Sequence, residues 1–270
     1  MGSNYYDQIA DIYDNTRALP PEIDRQVTEC ILQLVAATPE TKFLELDIGT
    51  GLNALPIINR GYAYTGVDIS PQMLAQLRRK LPDIPPNLQL IQAEAASLPM
   101  LDNNAFDVAL MRHMLHLVSD WRSCLAEIRR VLQPQGIYLY CESLWTAHQI
   151  KIEQQWQAIL DQYKPPRSNL KVAKHSRAEK REVIQLLKAQ GAIVESVVAA
   201  KWQVEQTVGE LLDIYQTKDH GSCWSIPNDT FPAAMQEFRR WCKAYYGIAE
   251  TVVLSSEAKF EITVARHWAR

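Results

Sequence analysis

Between residues 42 and 141, five short apolar runs alternate with stretches whose apolar residues recur at helical spacing. The runs are Lys42–Leu46, Tyr62–Val67, Asn87–Gln92, Phe106–Met111 and Ile137–Cys141. Helices are predicted over 53–59, from the Ser70-Pro71 cap to about 81, and over 120–132, where Leu125, Ile128 and Leu132 form one stripe. Strands separated by helices must be joined by crossovers, so they pair in parallel, and a parallel sheet needs helices on both faces.

The flanks are more helical. Tyr5, Ile9, Ile12 and Tyr13 predict a short amphipathic helix over 4–18, stopped by Pro20-Pro21, and Ile23, Val27, Ile31 and Leu34 predict a second over 22–37. Beyond 142 the expected order is a helix at 147–163, a basic loop at 164–177, a helix at 177–190 ending at Gly191, and a strand at 192–204. Helices at 207–218 and 228–246 and a closing strand at 258–267 complete the chain. The expected fold class is α/β: a Rossmann-like, three-layer, seven-stranded mostly parallel sheet with an antiparallel last strand and a helical cap. The expected organisation is an N-terminal helical cap (1–40), a ligand-binding core (41–142), and the rest of the sheet (143–270) with helical insertions at about 146–190 and 205–248.

Composition narrows the partners. A formal charge of −3 over 270 residues offers no basic field for nucleic acid or an anionic membrane. No apolar run approaches the roughly 20 residues of a membrane span, and the polar, acidic start lacks a signal pattern. A cytoplasmic protein is the expectation. Five scattered cysteines without a C-x-x-C pair read as reduced thiols, and no His/Asp cluster has the spacing of metal ligands, so no metal is expected.

The chemistry concentrates in Phe43–Leu55, FLELDIGTGLNAL. Gly49-Thr50-Gly51-Leu52-Asn53-Ala54 matches G-x-G-x-x-A at the end of a strand, and Asp68 follows 17 residues after Gly51 at the end of the next strand. Such glycines let backbone approach a nucleotide, and such an acid bonds ribose hydroxyls. An NAD(P)-dependent oxidoreductase is therefore one reading. Glu45 and Asp47, however, would repel a pyrophosphate and favour a cationic ligand. Glu94, in Gln92-Ala93-Glu94-Ala95 after the third strand, can accept from an adenine amino group.

Together these segments resemble the class I S-adenosylmethionine-dependent methyltransferases of small-molecule type. The resemblance rests on Glu45–Gly51, Val67–Met73, Ala93-Glu94-Ala95, Phe106-Asp107-Val108 and Leu132–Gly136, and on Tyr6, Ala10, Tyr13 and Asp14 in the N-terminal cap. It implies S-adenosyl-L-methionine as cofactor and methyl transfer, by a transferase, to a small acceptor that is partly apolar or aromatic. It also implies roles. Glu45 and the backbone of Asp47, Gly49 and Gly51 would hold the methionine moiety. Asp68 would take the ribose hydroxyls, Ile69 and Met73 would pack on adenine, and Glu94 and Ala95 would read its edge. Tyr13 and Arg17 would bond the cofactor carboxylate. Arg112 and His113 would line the space near the sulfonium, with His113 as the candidate catalytic base if the acceptor needs one.

Two positions depart from the family pattern: Asp47 stands where glycine is usual, and Gln135-Gly136 where two glycines are common. Asp47 either bonds the cofactor or crowds the turn, and in the second case the chain would be a non-catalytic S-adenosyl-binding protein. The bland readings run alongside: His116 as a packed histidine, the basic loop as a solvated segment, and Trp202, Tyr215, Trp224, Trp241, Tyr245 and Tyr246 as helical core before pocket wall.

Overall fold

The computed structural model describes residues 4–112, 115, 118, 120–144, 147–163, 179–218, 223, 226–247 and 251–268. His113, His116, Trp224 and the whole basic loop lie outside these residues. The elements run α1 (Asn4–Ile9), α2 (Tyr13–Arg17), α3 (Pro21–Leu34), β1 (Lys42–Leu46), α4 (Ala54–Ile58), β2 (Ala63–Asp68), α5 (Pro71–Arg79), β3 (Leu88–Gln92) and β4 (Phe106–Arg112). Then follow α6 (Trp121–Val131), β5 (Leu132–Leu144), α7 (Ala147–Tyr163), α8 (Lys180–Ala189), β6 (Ile193–Thr207), α9 (Val208–Gln216), α10 (Phe231–Tyr246) and β7 (Val253–Arg266).

The seven strands form one sheet in the order β3-β2-β1-β4-β5-β7-β6. The β1–β2, β1–β4, β2–β3 and β4–β5 pairings are parallel. Antiparallel pairing is confined to the end formed by the last strands, and helices flank the sheet. Chain order reverses beside β1, whose neighbours are β2 and β4. In open α/β sheets, ligands bind outside the carboxyl ends of strands at such a switch point.

Register decides what each face carries. Glu45 lies opposite Gly66 and Leu110, Phe43 opposite Tyr64 and Val108. Because side chains alternate along a strand, Glu45, Tyr64, Asp68 and Arg112 share one face. The other face presents Leu44, Leu46, Val67, Ala109, Met111, Tyr138 and Tyr140 to Trp121, Leu125 and Ile128 of α6 and Val183 and Leu187 of α8. That buried cluster is the main core, and it fixes the plane from which the polar face is presented.

Two compact units emerge. One comprises residues 1–143, 174–200 and 260–270, the other residues 144–173 and 201–259. The second has its own core, in which Trp156, Tyr215 and Phe238 pack with ring centroids 4.9–5.4 Å apart. Helix α8 counts with the first unit, since Val183 and Leu187 enter its core, whereas the sequence placed it in an insertion over 146–190. The expected helix over 4–18 is two short ones, with a turn closed by Ile12 N–H on the Ile9 carbonyl at 3.1 Å.

Gly66 marks where β2 lies tightest. A Cβ there would stand 2.2 Å from Ile48 Cδ1 and 3.0 Å from Ile48 Cγ2. Gly66→Ala is expected to destabilise the protein by ~1–3 kcal/mol through overpacking, and Ile48→Val in the same chain, lacking Cδ1, should restore part of the loss. Urea denaturation of the two single variants and the double variant measures that coupling.

Candidate functional site

The segment after β1 turns sharply. Asp47, Gly49 and Gly51 all have positive φ, +62°, +57° and +80°. Gly51 N–H closes the turn on the Ile48 carbonyl at 3.0 Å, and Leu55 N–H takes the Gly51 carbonyl at 2.9 Å as the helix begins. A Cβ on Gly51 would stand 2.3 Å from Leu77 Cδ1, so the turn sits directly against α5.

Asp68 joins this turn to the next. One carboxylate oxygen accepts from Gly49 N–H and the other from Ser70 N–H, both at 2.7 Å. Ser70 caps α5 by accepting from Met73 N–H at 3.1 Å and donates its hydroxyl proton to Asp7 on α1. Asp14 on α2 accepts from Thr50 Oγ1 and pairs with Lys80, whose ammonium also donates to the Thr50 carbonyl at 2.7 Å. The N-terminal helices are thus tied to the glycine turn by charge-assisted bonds.

Beneath the turn, Glu45 is buried with both oxygens occupied. Tyr64 O–H donates to one at 2.7 Å, and Asn53 Nδ2 donates to the other at 3.1 Å. Arg112 Nη1 donates to Asn53 Oδ1 at 2.9 Å, and its guanidinium lies over the Phe260 ring, 5.2 Å from the centroid. Burial raises the Glu45 carboxyl to about 7, against the hydrogen bonds of Tyr64 and Asn53 and the charge of Arg112. Burial also pulls Arg112 below its ordinary value.

Asp47 reaches Asp68. The residue is partly exposed, but its carboxyl is withdrawn from water. That withdrawal, the Asp68 charge, a hydrogen bond with Asp68 and the Glu45 charge together raise it well above the usual range. Asp68 is raised by burial, against donors from Ser70, Gly49 and Asp47 and with the Asp7 charge adding to the rise. The two backbone N–H groups on Asp68 oppose its rise, whereas every cause acting on Asp47 raises it, so Asp47 is the member pushed further up. Tyr6 and Tyr13 meet edge to face here, centroids 6.5 Å apart. Burial first, then the Asp47 charge, raises both phenols, while Arg17 opposes the rise.

The other predicted residues lie on the segments that follow β2 and β3 and at the end of α2. Ile69 is exposed at the start of α5 and Met73 is buried beneath it. Glu94 is exposed after β3 and Ala95 partly covered, and Ala93 N–H donates to the Asp68 carbonyl at 3.1 Å, which brings that loop to the end of β2. Arg17 is exposed, and its carbonyl lies 3.5 Å from Arg112 Nη2. The proposed base His113 lies outside the described residues. Tyr6, Asn53, Tyr64 and Lys80 join the network without having been singled out as site residues. Alternation alone places Tyr64 on the face of Asp68, but its meeting with Glu45 depends on register.

Comparison with known proteins bears on the middle of the chain. Residues 44–140 match a family model described as a methyltransferase domain. Among curated relatives, the chain is 30% identical over 138 residues to a demethylmenaquinone methyltransferase of Renibacterium salmoninarum, covering 51% of this chain and 56% of that one. It is 34% identical over 138 residues to a 2-phytyl-1,4-naphtoquinone methyltransferase of Trichormus variabilis, covering 48% and 59%. The chain therefore spans little more than half the length of these relatives. A phosphoethanolamine N-methyltransferase of Haemonchus contortus, solved with phosphomonomethylethanolamine and S-adenosylhomocysteine, shares the fold, with a TM-score of 0.52 at 16% identity over 97% of this chain and 58% of that one.

Glu45 links the network to pH. A carboxyl raised by folding stabilises fully below its unfolded value, near 4.5, and the contribution is lost as pH rises through about 7. Melting temperatures should fall over that window. Glu45→Gln, which cannot ionise, should flatten that part of the profile and melt higher than the parent at pH 8.

Proposed function

We propose that this protein transfers the methyl group of S-adenosyl-L-methionine to a small, partly apolar acceptor. The observation that carries the reading is the crevice at the switch point of a methyltransferase domain, where the Asp47–Gly51 turn faces Asp68. The residues present fit the cofactor's chemistry. Asp68 ends β2 beside the glycine turn and accepts one backbone N–H on each oxygen, which leaves acceptor capacity for a ribose diol. Asp68, Asp47 and Glu45 line the turn with acids, a poor setting for a pyrophosphate, which weighs against the NAD(P) alternative.

In this reading Asp68 holds the ribose hydroxyls, Ile69 and Met73 flank the adenine, and Glu94 and the Ala95 backbone meet its edge. Gly49 and Gly51 let the turn approach the methionine portion, while Tyr13, Arg17 and Arg112 are the donors for its carboxylate. Glu45 acts at one remove, holding Asn53 and hence the Arg112 head in place. The bound cofactor supplies an already activated methyl group. The chain's task is to align the acceptor and keep water out, which is where most of the rate of such a displacement arises. His113 remains the candidate base for an acceptor hydroxyl.

The relatives' names indicate the acceptor class. Both curated relatives carry quinone names, and a reduced naphthoquinone is a small, largely apolar, aromatic acceptor.

Transfer of label from methyl-tritiated S-adenosylmethionine to a reduced naphthoquinone, read by extraction into an organic phase, tests the reaction. No transfer to any of a panel of quinol, phenol and amine acceptors would remove it. Asp68→Asn, with its fold checked by circular dichroism, is expected to weaken S-adenosylmethionine binding roughly tenfold to hundredfold, the worth of a hydrogen bond to a charged group.

A further inference from the structure

We propose that Asp14 and Lys80 form a clamp on Thr50 that positions two parts of the cofactor site at once: it fixes the glycine turn, and it seats α2, which carries Tyr13 and Arg17, against that turn. Asp14 and Lys80 are positioning residues in this assignment and do not touch the cofactor. The inference rests on the S-adenosylmethionine-binding reading above.

The turn needs a clamp because its glycines make it pliable. Thr50 lies between Gly49 at φ +57° and Gly51 at φ +80°, and glycine moves between backbone regions that other residues avoid. A Cβ on Gly49 would have no neighbour nearer than the Asp47 carbonyl at 4.0 Å, so packing does not confine that residue. The confinement enters at Thr50, which is buried and has both oxygens engaged. Lys80 Nζ donates to its carbonyl at 2.7 Å, and its hydroxyl donates to Asp14. The Thr50 carbonyl and the Gly51 N–H belong to one peptide plane. Holding the carbonyl toward Lys80 therefore aims that N–H at the Ile48 carbonyl, which it meets at 3.0 Å.

Helix α2 needs the clamp for a different reason. It has five residues, and Ile12 at its N-cap makes no side-chain capping bond. A helix so short has no stability of its own and takes its place from tertiary contacts. Asp14 supplies the contact with the turn: one oxygen accepts from the Thr50 hydroxyl and the other pairs with Lys80. Lys80, the C-cap of α5, closes the cycle by bonding Asp14 and Thr50 together. Side-chain exposures of 27% for Lys80 and 33% for Asp14, with Thr50 as a third member, set this apart from an isolated surface ion pair. A tie that only stabilised the fold would lower the melting temperature and leave ligand affinity unchanged. A positioning clamp must change affinity.

Calorimetric titration of S-adenosylhomocysteine and S-adenosylmethionine into the full chain, Lys80→Met, Asp14→Asn and the double variant, well below every melting temperature, tests the clamp. Arg79→Met is the control, since it removes an exposed charge one residue away on α5. Each single variant should bind about tenfold more weakly, the scale of one hydrogen bond to a charged group. The double variant should bind no more weakly than the poorer single variant, because members of one unit do not contribute separately. Arg79→Met should bind like the parent. Parental affinity in either single variant would overturn the clamp and leave the cofactor reading standing. Losses that multiply in the double variant would show two independent effects and overturn it. An equal loss in Arg79→Met would show a general charge effect and overturn it as well. Should Lys80→Met not fold, Asp14→Asn, which keeps the shape of Asp14 without its charge, decides by the same comparison with the parent and the control. Failure of the parent to bind either ligand would remove the cofactor reading and the clamp with it.

Discussion

A carboxylate can accept several hydrogen bonds at once, and at Asp68 that capacity joins pieces of backbone the chain order keeps apart. Gly49 belongs to the turn after β1 and Ser70 to the cap of α5, yet each donates to the same side chain at 2.7 Å. The two turns that frame the crevice therefore cannot move independently. The N-terminal helices depend on the same arrangement, because Asp7 accepts a hydrogen bond from the Ser70 hydroxyl and Asp14 is bound to Thr50 and Lys80. A hub of this kind is stable only when its donors are fixed, and here two of them are main-chain groups of the turns that follow β1 and β2.

Beside that hub runs a second chain of polar groups, Tyr64–Glu45–Asn53–Arg112. Burying a carboxyl is costly unless its oxygens are satisfied. Glu45 meets this with two donors, and its carboxyl still rises to about 7. The energetic consequence is local rigidity. Removing either donor would leave a buried acceptor unpaired, so Asn53 is held, and through it the Arg112 head at the end of β4. The sheet face opposite this polar row is filled by α6 and α8, which leaves the row as the floor of the crevice and the packed face as its support.

The core of the fold could be read in the sequence because period alone distinguishes short apolar runs from helical stripes, and five strands with their crossovers appear on that basis. Where boundaries differ, the ladder is the reason. β5 begins at Leu132 rather than Ile137, since Leu132 pairs with Phe106 before an irregularity and the regular pairing of Ile137 with Val108. The closing pair is likewise longer than its hydropathy suggested, at 193–207 and 253–266. Glycine spacing and Asp68 were visible because their offset is local. The Glu45–Tyr64 bond was not, since it joins residues 19 apart through register. Nor was the contact of Asp47 with Asp68, which requires knowing where a left-handed residue points its side chain. Val183 and Leu187 likewise mark a helix face, but not which core receives it.

The match to known methyltransferases, over 44–140, falls where these constraints are densest. A glycine turn, an acid ending the next strand and a close helix start must all agree geometrically, so few sequences satisfy them and the segment is easily recognised. The second compact unit is held by a different logic. Trp156, Tyr215 and Phe238 fill an apolar core whose demands are volume and shape, and many residue sets meet those demands. That difference makes a turn of fixed geometry far easier to infer from residues than a core held by volume and shape.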